Sequence, residues 1–383
     1  MTRIFSTVAP WAWIFWGATA LIVYTYFGYP AWLWLRSHLR RKEVQRGPYL
    51  PFVSVVMVVR NEAPVLERKL QNLLTLDYPA ELVQLVVVSD GSTDRTEAIL
   101  HEYASNSRVS VVLNQLSRGK ASGLNDAFEL AQGDVVVFTD ARQTIEPGGL
   151  RLLLENFADP QVGCVSGELM LGSPEAGGTG EGIGSYWRIE KWIRELEAAS
   201  GSVVGATGAL YAIRRDLLVS LPKETILDDV YLPMQVVRQG FRVVFDARAG
   251  AWDAADLGTE REFARKVRTL SGNYQLLQLA PWLLSSANPI RFEFVSHKLL
   301  RMLVPFALAA TLVASLVLRE PVYRLALVLQ MAFYGLSLLA IVKLRKGTVR
   351  RMADAAFTFV VLNTAAVVAF VNFVSGRKAA WIR

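Results

Sequence analysis

Four polar clusters in this 383-residue chain combine residue types suited to holding a polar ligand: Arg60-Asn61-Glu62, Asp90-Gly91-Ser92-Thr93-Asp94, Asp140-Ala141-Arg142 and Asp228-Asp229. The first three each follow a short β-branched run, where the ligand-binding residues of an open α/β sheet belong. Simpler duties are available to some of them. Ser92 or Asp94 can cap a following helix, Gly91 can serve a turn, and Asp228-Asp229 can be a solvated helix N-terminus. Other chemistries lack their residues. No G-x-G-x-x-G and no Walker lysine motif follows the first strand, so dinucleotide and P-loop sites are missing their phosphate loop. With three histidines there is no Ser/His/Asp hydrolase pattern, and the single Cys164 excludes a disulfide framework or a multi-thiolate metal site. Cys164 reads as a small buried residue.

The elements that must position these clusters alternate. Strands are expected over Pro51–Arg60, Leu85–Ser89, Val109–Leu113 and Asp134–Thr139, with helices over Ala63–Leu76, Arg95–Ser105 and Lys120–Ala131. Continuous apolar strands separated by helices predict parallel strands buried on both faces, in an open, doubly wound α/β sheet. Three polar strand ends would then converge on one crevice.

The composition is 52% hydrophobic with ten Trp, and the apolar residues are unevenly spread. From Ile4 to Leu35 there is no Lys, Arg, His, Asp or Glu, a run longer than the roughly 20 residues that cross a bilayer, with Trp and Tyr towards both ends. It is too long for a signal peptide and has no small-residue cleavage site. Three more uncharged apolar runs, each close to spanning length, are Met302–Leu318, Leu325–Val342 and Ala355–Gly376. The net charge of +7 does not point to nucleic acid, because basic residues crowd the membrane edges: Arg36, Arg40, Arg41, Lys42 and Arg46, then Lys343, Arg345, Lys346, Arg350 and Arg351. By the positive-inside tendency the segment after the first helix is cytoplasmic, at the inner face of a multi-pass cell-membrane protein. Three C-terminal spans would export Arg377, Lys378 and Arg383 against the same tendency, so the number of spans stays open. The expected domains are a membrane helix and basic flank over 1–47, a catalytic domain over 48–285 and a membrane region over 286–383.

In this order the motifs resemble those of the family-2 inverting glycosyltransferases, which have a GT-A nucleotide-sugar-binding fold, in particular the cellulose, hyaluronan and chitin synthase-like group. The stretches are VVRNE, VVVSDGSTDRT, SRGKASGLNDAFELAQGDVVVFTDA, GATGALYAIRR and ETILDDVYLPMQVVRQGFRVVF. The resemblance spans roughly Phe52 to Leu277. It implies a fold class of α/β, a GT-A domain with flanking transmembrane helices. It also implies roles: Asn61, Glu62 and Asp90 on the nucleoside, with Asp90 accepting from uracil; Lys120 near the base or phosphates; Asp140 on a divalent cation, Mg2+ or Mn2+; Asp229 as general base, with Asp228 raising its proton affinity by like-charge repulsion. Implied partners are a UDP-sugar donor, a lipid-linked or glycan acceptor and membrane lipids.

Two departures from the family pattern matter. Asp140-Ala141-Arg142 stands where Asp-x-Asp is common, so metal dependence is less specified and Arg142 is a candidate for a phosphate. Arg265-Lys266-Val267-Arg268-Thr269 stands where processive members have Gln-x-x-Arg-Trp. Arg265 and Arg268 supply cations for the diphosphate, but Thr269 replaces the acceptor-stacking Trp. Single transfer is therefore the leading expectation. The alternatives are a processive synthase that extrudes its product, needing a homo-oligomer or accessory subunit for a channel, and a non-catalytic assembly subunit that keeps the fold. Gly184–Glu197 is expected to form an amphipathic helix with Ile189, Trp192, Ile193 and Leu196 on one side, lying on the membrane or packed on the sheet. A Gly-rich loop precedes it over Gly172–Gly184, and His297-Lys298 reads as an interfacial anchor.

Overall fold

The structure, a computed structural model, describes residues 2–172, 184–253, 259–342 and 347–377. Most of the Gly-rich stretch before residue 184, and Lys343, Arg345, Lys346, Lys378 and Arg383, lie outside the described residues.

The first apolar run is helical throughout: α1 (Thr2–Val23), a π-turn over Tyr24–Gly28, and α2 (Tyr29–Leu39). An extended segment then leads to alternating strands and helices: β1 (Val53–Val59), α3 (Ala63–Leu74), β2 (Val83–Asp90), α4 (Thr96–Tyr103), β3 (Val109–Asn114), α5 (Lys120–Leu130) and β4 (Val135–Phe138). These coincide closely with the expected runs. β1 and β4 are buried at every position, as central parallel strands covered on both faces must be. β1 pairs in parallel with both β2 and β4, and β2 with β3.

The other half of the sheet is mixed rather than parallel. It comprises β5 (Thr144–Ile145), β6 (Val162–Leu171), β7 (Tyr211–Arg214) and β8 (Arg242–Asp253), interleaved with α6 (Gly149–Leu154), α7 (Gly184–Ser200) and α8 (Asp228–Arg238). The full order is β3-β2-β1-β4-β7-β6-β8-β5. β7 runs antiparallel to both β4 and β6, β6 is parallel to β8, and β5 is antiparallel to β8. This departs from the uniformly parallel expectation because β7, a four-residue strand, is inserted between β4 and β6 by long-range pairing that local pattern does not encode. One large apolar core runs beneath both halves.

After β8 come α9 (Thr259–Leu279), α10 (Arg291–Phe294), a π-turn over Val295–Leu299, α11 (Leu300–Val317), α12 (Pro321–Leu339) and α13 (Thr348–Val374). Among the described residues three helices are long and apolar enough to cross a membrane: Arg291–Val317, Pro321–Leu339 and Thr348–Val374. α1 packs along α11, where Phe15 meets Ala314, Leu318 and Tyr323.

The four apolar residues expected on one side of α7 divide. Ile193 and Leu196 are buried against Tyr29 and Leu33 of α2, whereas Ile189 and Trp192 are exposed. α2 covers only the C-terminal part of that face.

Candidate active site

The ends of β1, β2 and β4 meet in one crevice, as the strand order requires. Asn61 adopts a left-handed conformation, φ 55°, which Asn tolerates better than most residues. There its backbone N–H donates to Ser92 (3.2 Å) and its Oδ1 accepts from the Thr93 N–H (2.8 Å), stapling the end of β1 to that of β2. Asp94 accepts from the N–H groups of Ala63 and Thr96, so one carboxylate caps the first turns of α3 and α4. Glu62, at the start of α3, accepts from the Arg142 guanidinium at 3.4 Å. Burial pushes its carboxyl above the usual range, with Arg142 pulling the other way.

Asp90 is fully buried. Its two oxygens accept from the Ser117 hydroxyl (2.8 Å) and the N–H groups of Arg118 (2.7 Å) and Gly119 (3.0 Å). In this arrangement it organises the loop before α5. Gly91 makes that loop possible. Its φ is +65°, and a Cβ there would lie 2.6 Å from the Ser117 nitrogen.

The loop delivers Lys120, first residue of α5, to the carboxylates. Its Nζ lies 3.0 Å from Asp140 and 3.2 Å from Asp228. Burial opposes its charge, but Asp140, Asp228 and Asp229 outweigh that and hold the ammonium well above its ordinary range. Asp228 is buried and also accepts from the Tyr211 hydroxyl (3.2 Å). Asp229 differs. Burial and the neighbouring Asp228 push its carboxyl up to about 6, against the pull of Lys120 and Lys298.

Asp140 and Asp229 face each other across Gly208. A Cβ built on Gly208 would stand 3.5 Å from an oxygen of each. One Asp140 oxygen pairs with Lys120, and the side chain remains 42% exposed. That donor chemistry fits a hard divalent cation, which takes one or two protein carboxylates and completes its shell with phosphate oxygens and water. Among the described residues no group of three or more His, Cys, Asp or Glu forms an all-protein cage. Arg142, where a second carboxylate is common in the resembled family, turns to Glu62 instead.

Of the two α9 cations expected at the diphosphate, Arg265 lies 3.9 Å from Asp253, and Asp253 accepts from the Gln143 side chain (2.8 Å), so Arg265 reaches the Asp140 turn through two intermediaries. Arg268 follows one turn later and is also engaged. Thr269 donates back to the Arg265 carbonyl. The structure thus gathers Asn61, Glu62, Asp90, Lys120, Asp140, Asp228 and Asp229 around one crevice, with Arg265 at its margin.

Sequence reasoning gave no site role to four contributors, one of which, Lys298, it read as an interfacial anchor together with His297. Gly208 leaves the gap between the carboxylates, Tyr211 holds Asp228, and Lys298 acts on Asp229 from the start of a membrane-type helix. Lys69, buried behind Asp140, was legible as a lysine on an apolar stripe, since Leu66, Leu70 and Leu73 share its helical face. His297, read as an anchor, is enclosed between Glu197 (2.7 Å) and Glu190 (3.0 Å) of α7.

Comparison with known proteins gives the arrangement its context. Residues 54–221 match the model of glycosyl transferase family 2. A poly-beta-1,6-N-acetyl-D-glucosamine synthase of Staphylococcus aureus is 24% identical over 252 residues, 63% of this chain and 60% of that protein. A beta-monoglucosyldiacylglycerol synthase of Nostoc sp. is 28% identical over 202 residues, 51% of this chain and 43% of its own. The matches therefore span 60% or less of the length of these curated relatives. Among solved structures, a mannosyltransferase of Pyrobaculum calidifontis in complex with GDP-Man and Mn2+ superposes with a TM-score of 0.72 at 24% identity, covering 94% of this chain and 99% of that one. The chain carries a glycosyl transferase family 2 domain with the GT-A fold.

Proposed function

We propose that the chain is a membrane-bound inverting glycosyltransferase that moves a sugar from a UDP-sugar to a lipid-linked or glycan acceptor at the cytoplasmic membrane face. The observation that carries this reading is the pair of carboxylates across Gly208: Asp140, which keeps an oxygen towards the open crevice, and Asp229, whose carboxyl is raised to about 6. The catalytic domain is taken as 48–285, between a membrane helix with its basic flank over 1–47 and a membrane region over 286–383.

In the reaction the acceptor O–H loses its proton to Asp229, and its oxygen forms a bond to the anomeric carbon. The bond from that carbon to the nucleotide diphosphate breaks on the opposite face, and its electron pair leaves with the diphosphate. A base near neutrality is strong enough to take the proton yet free of it at working pH. Asp140 would hold Mg2+ or Mn2+, which when bound supplies neutralisation of the charge growing on the leaving group. Lys120 holds Asp140 and Asp228 in place, and its charge faces the same diphosphate. Asn61, Glu62 and Asp90 shape the nucleoside end, while Arg265 and Arg268 close the phosphate end from α9.

Thr269 favours single transfer over processive synthesis, because no aromatic platform stands at that position for a growing chain. The relatives' names cover both a polymer and a glycolipid, so the acceptor class is decided by experiment. Purified protein in detergent is assayed for UDP release against a panel of UDP-sugars, with Mg2+ or Mn2+, with and without membrane lipid extract. Metal-dependent release with one sugar, enhanced by lipid, supports the reading. Silence from folded protein across the panel overturns the donor assignment.

A further inference from the structure

α3 carries a lysine on its buried stripe. Leu66, Lys69, Leu70 and Leu73 recur at one-turn spacing, and Lys69 is 1% exposed. Burying an ammonium is costly unless it is well hydrogen-bonded. Its Nζ donates to the Thr139 hydroxyl and to the Gln143 carbonyl, both at 2.8 Å, and neither acceptor is a carboxylate. Burial pushes the ammonium down to about 7, partly held up by Asp140.

The two acceptors bracket Asp140. Neighbours on α3 hold the following backbone: Arg68 donates to the Arg142 carbonyl (2.9 Å), and Asn72 bonds both polar groups of Ile145 (2.8 and 2.9 Å). Lys69 alone of these reaches both sides of Asp140. Thr139 passes the constraint on, since its hydroxyl donates to the carbonyl of Ala209 (2.8 Å), beside Gly208. Gln143 passes it the other way, to Asp253.

We propose that Lys69 is a positioning residue: it clamps the Thr139–Gln143 turn so that Asp140 presents its carboxylate to the cation and diphosphate, and it sets the gap to Asp229 through Thr139 and Ala209. This rests on the reading of Asp140 as the cation-holding carboxylate. Partners behind a metal ligand typically change metal affinity by about 10- to 100-fold when removed.

The test is Mn2+-dependent UDP binding by calorimetry on the full-length protein in detergent, with thermal unfolding recorded in parallel, for Lys69→Met, Thr139→Val, Asp140→Asn and the Lys69→Met/Asp140→Asn double variant. The expected result is about tenfold weaker Mn2+-dependent UDP binding in Lys69→Met and in Thr139→Val, with no further loss when Lys69→Met is added to Asp140→Asn. Lower thermal stability with unchanged Mn2+-dependent affinity would show a merely structural lysine and overturn the proposal, as would additive losses in the double variant. Should Lys69→Met fail to fold, Thr139→Val decides by the same criterion. Unchanged UDP binding in Asp140→Asn would instead overturn the reading of Asp140, and this inference with it.

Discussion

Two buried ionic networks in this molecule use similar ingredients in opposite proportions. In the crevice one ammonium, Lys120, serves Asp140 and Asp228 directly and Asp229 through space. At the junction between α7 and the membrane-type helices, Glu190 and Glu197 are surrounded. His297 bridges them at 3.0 and 2.7 Å, Arg301 lies 2.7 Å from Glu190, and the Tyr29 hydroxyl donates to Glu197 at 2.6 Å. The consequences for the carboxyls are opposite. Despite burial, His297 and Arg301 hold Glu190 well below its usual range, and His297 and Tyr29 lower Glu197, whereas Asp229 is raised. A surplus of carboxylate leaves one group ready to take a proton. A surplus of donors fastens α2, α7 and the His297 turn together.

The largest effect should come from the crevice. Asp229→Asn removes the proton acceptor while keeping the shape, and turnover should fall by about 10²- to 10⁴-fold with UDP affinity retained. Near-normal kcat would end the base assignment. The junction should respond in stability instead. His297→Ala removes the partner that two buried carboxylates share and should cost on the order of 3–5 kcal/mol, seen as a lower unfolding temperature in detergent. If the variant melts like the parent, the network does not fasten the helices.

Smaller effects sharpen the contrast. Gly208→Ala puts a methyl 3.5 Å from both Asp140 and Asp229, an ordinary contact that the fold accepts, so melting should hardly move while kcat drops roughly tenfold. A loss of stability without a loss of rate would mean that the gap is not used. The last prediction concerns pH. Asp229 is protonated below about 6, so kcat/KM should rise with pH through about 6 and then level. The linkage sign is also fixed: a carboxyl raised in the folded state loses its stabilising contribution as pH climbs from about 4 through about 6. Asp229→Asn should therefore melt higher than the parent at pH 7.5, with the advantage gone at pH 4.

The local signals and the non-local ones divide the molecule in the same way. β1 to β4 with their helices were legible because each is a contiguous run with its own period, and the polar strand ends followed from parallel topology. The motif series pointed to a GT-A fold and to Asp140 and Asp229 as candidates. Lys69 was readable as an anomaly on an apolar helical face, but its partners were not.

Contiguous sequence patterns thus carried the resemblance to the glycosyltransferases, the parallel half of the sheet, the apolar C-terminal helices and the residue types of the crevice. Tertiary structure alone decided the insertion of β7 between β4 and β6, the turning of Arg142 to Glu62, the enclosure of Asp90 by its loop and the capture of His297 by α7. Each of these joins groups distant along the chain. Such contacts form only when the whole core closes, and no window of neighbouring residues carries their energy.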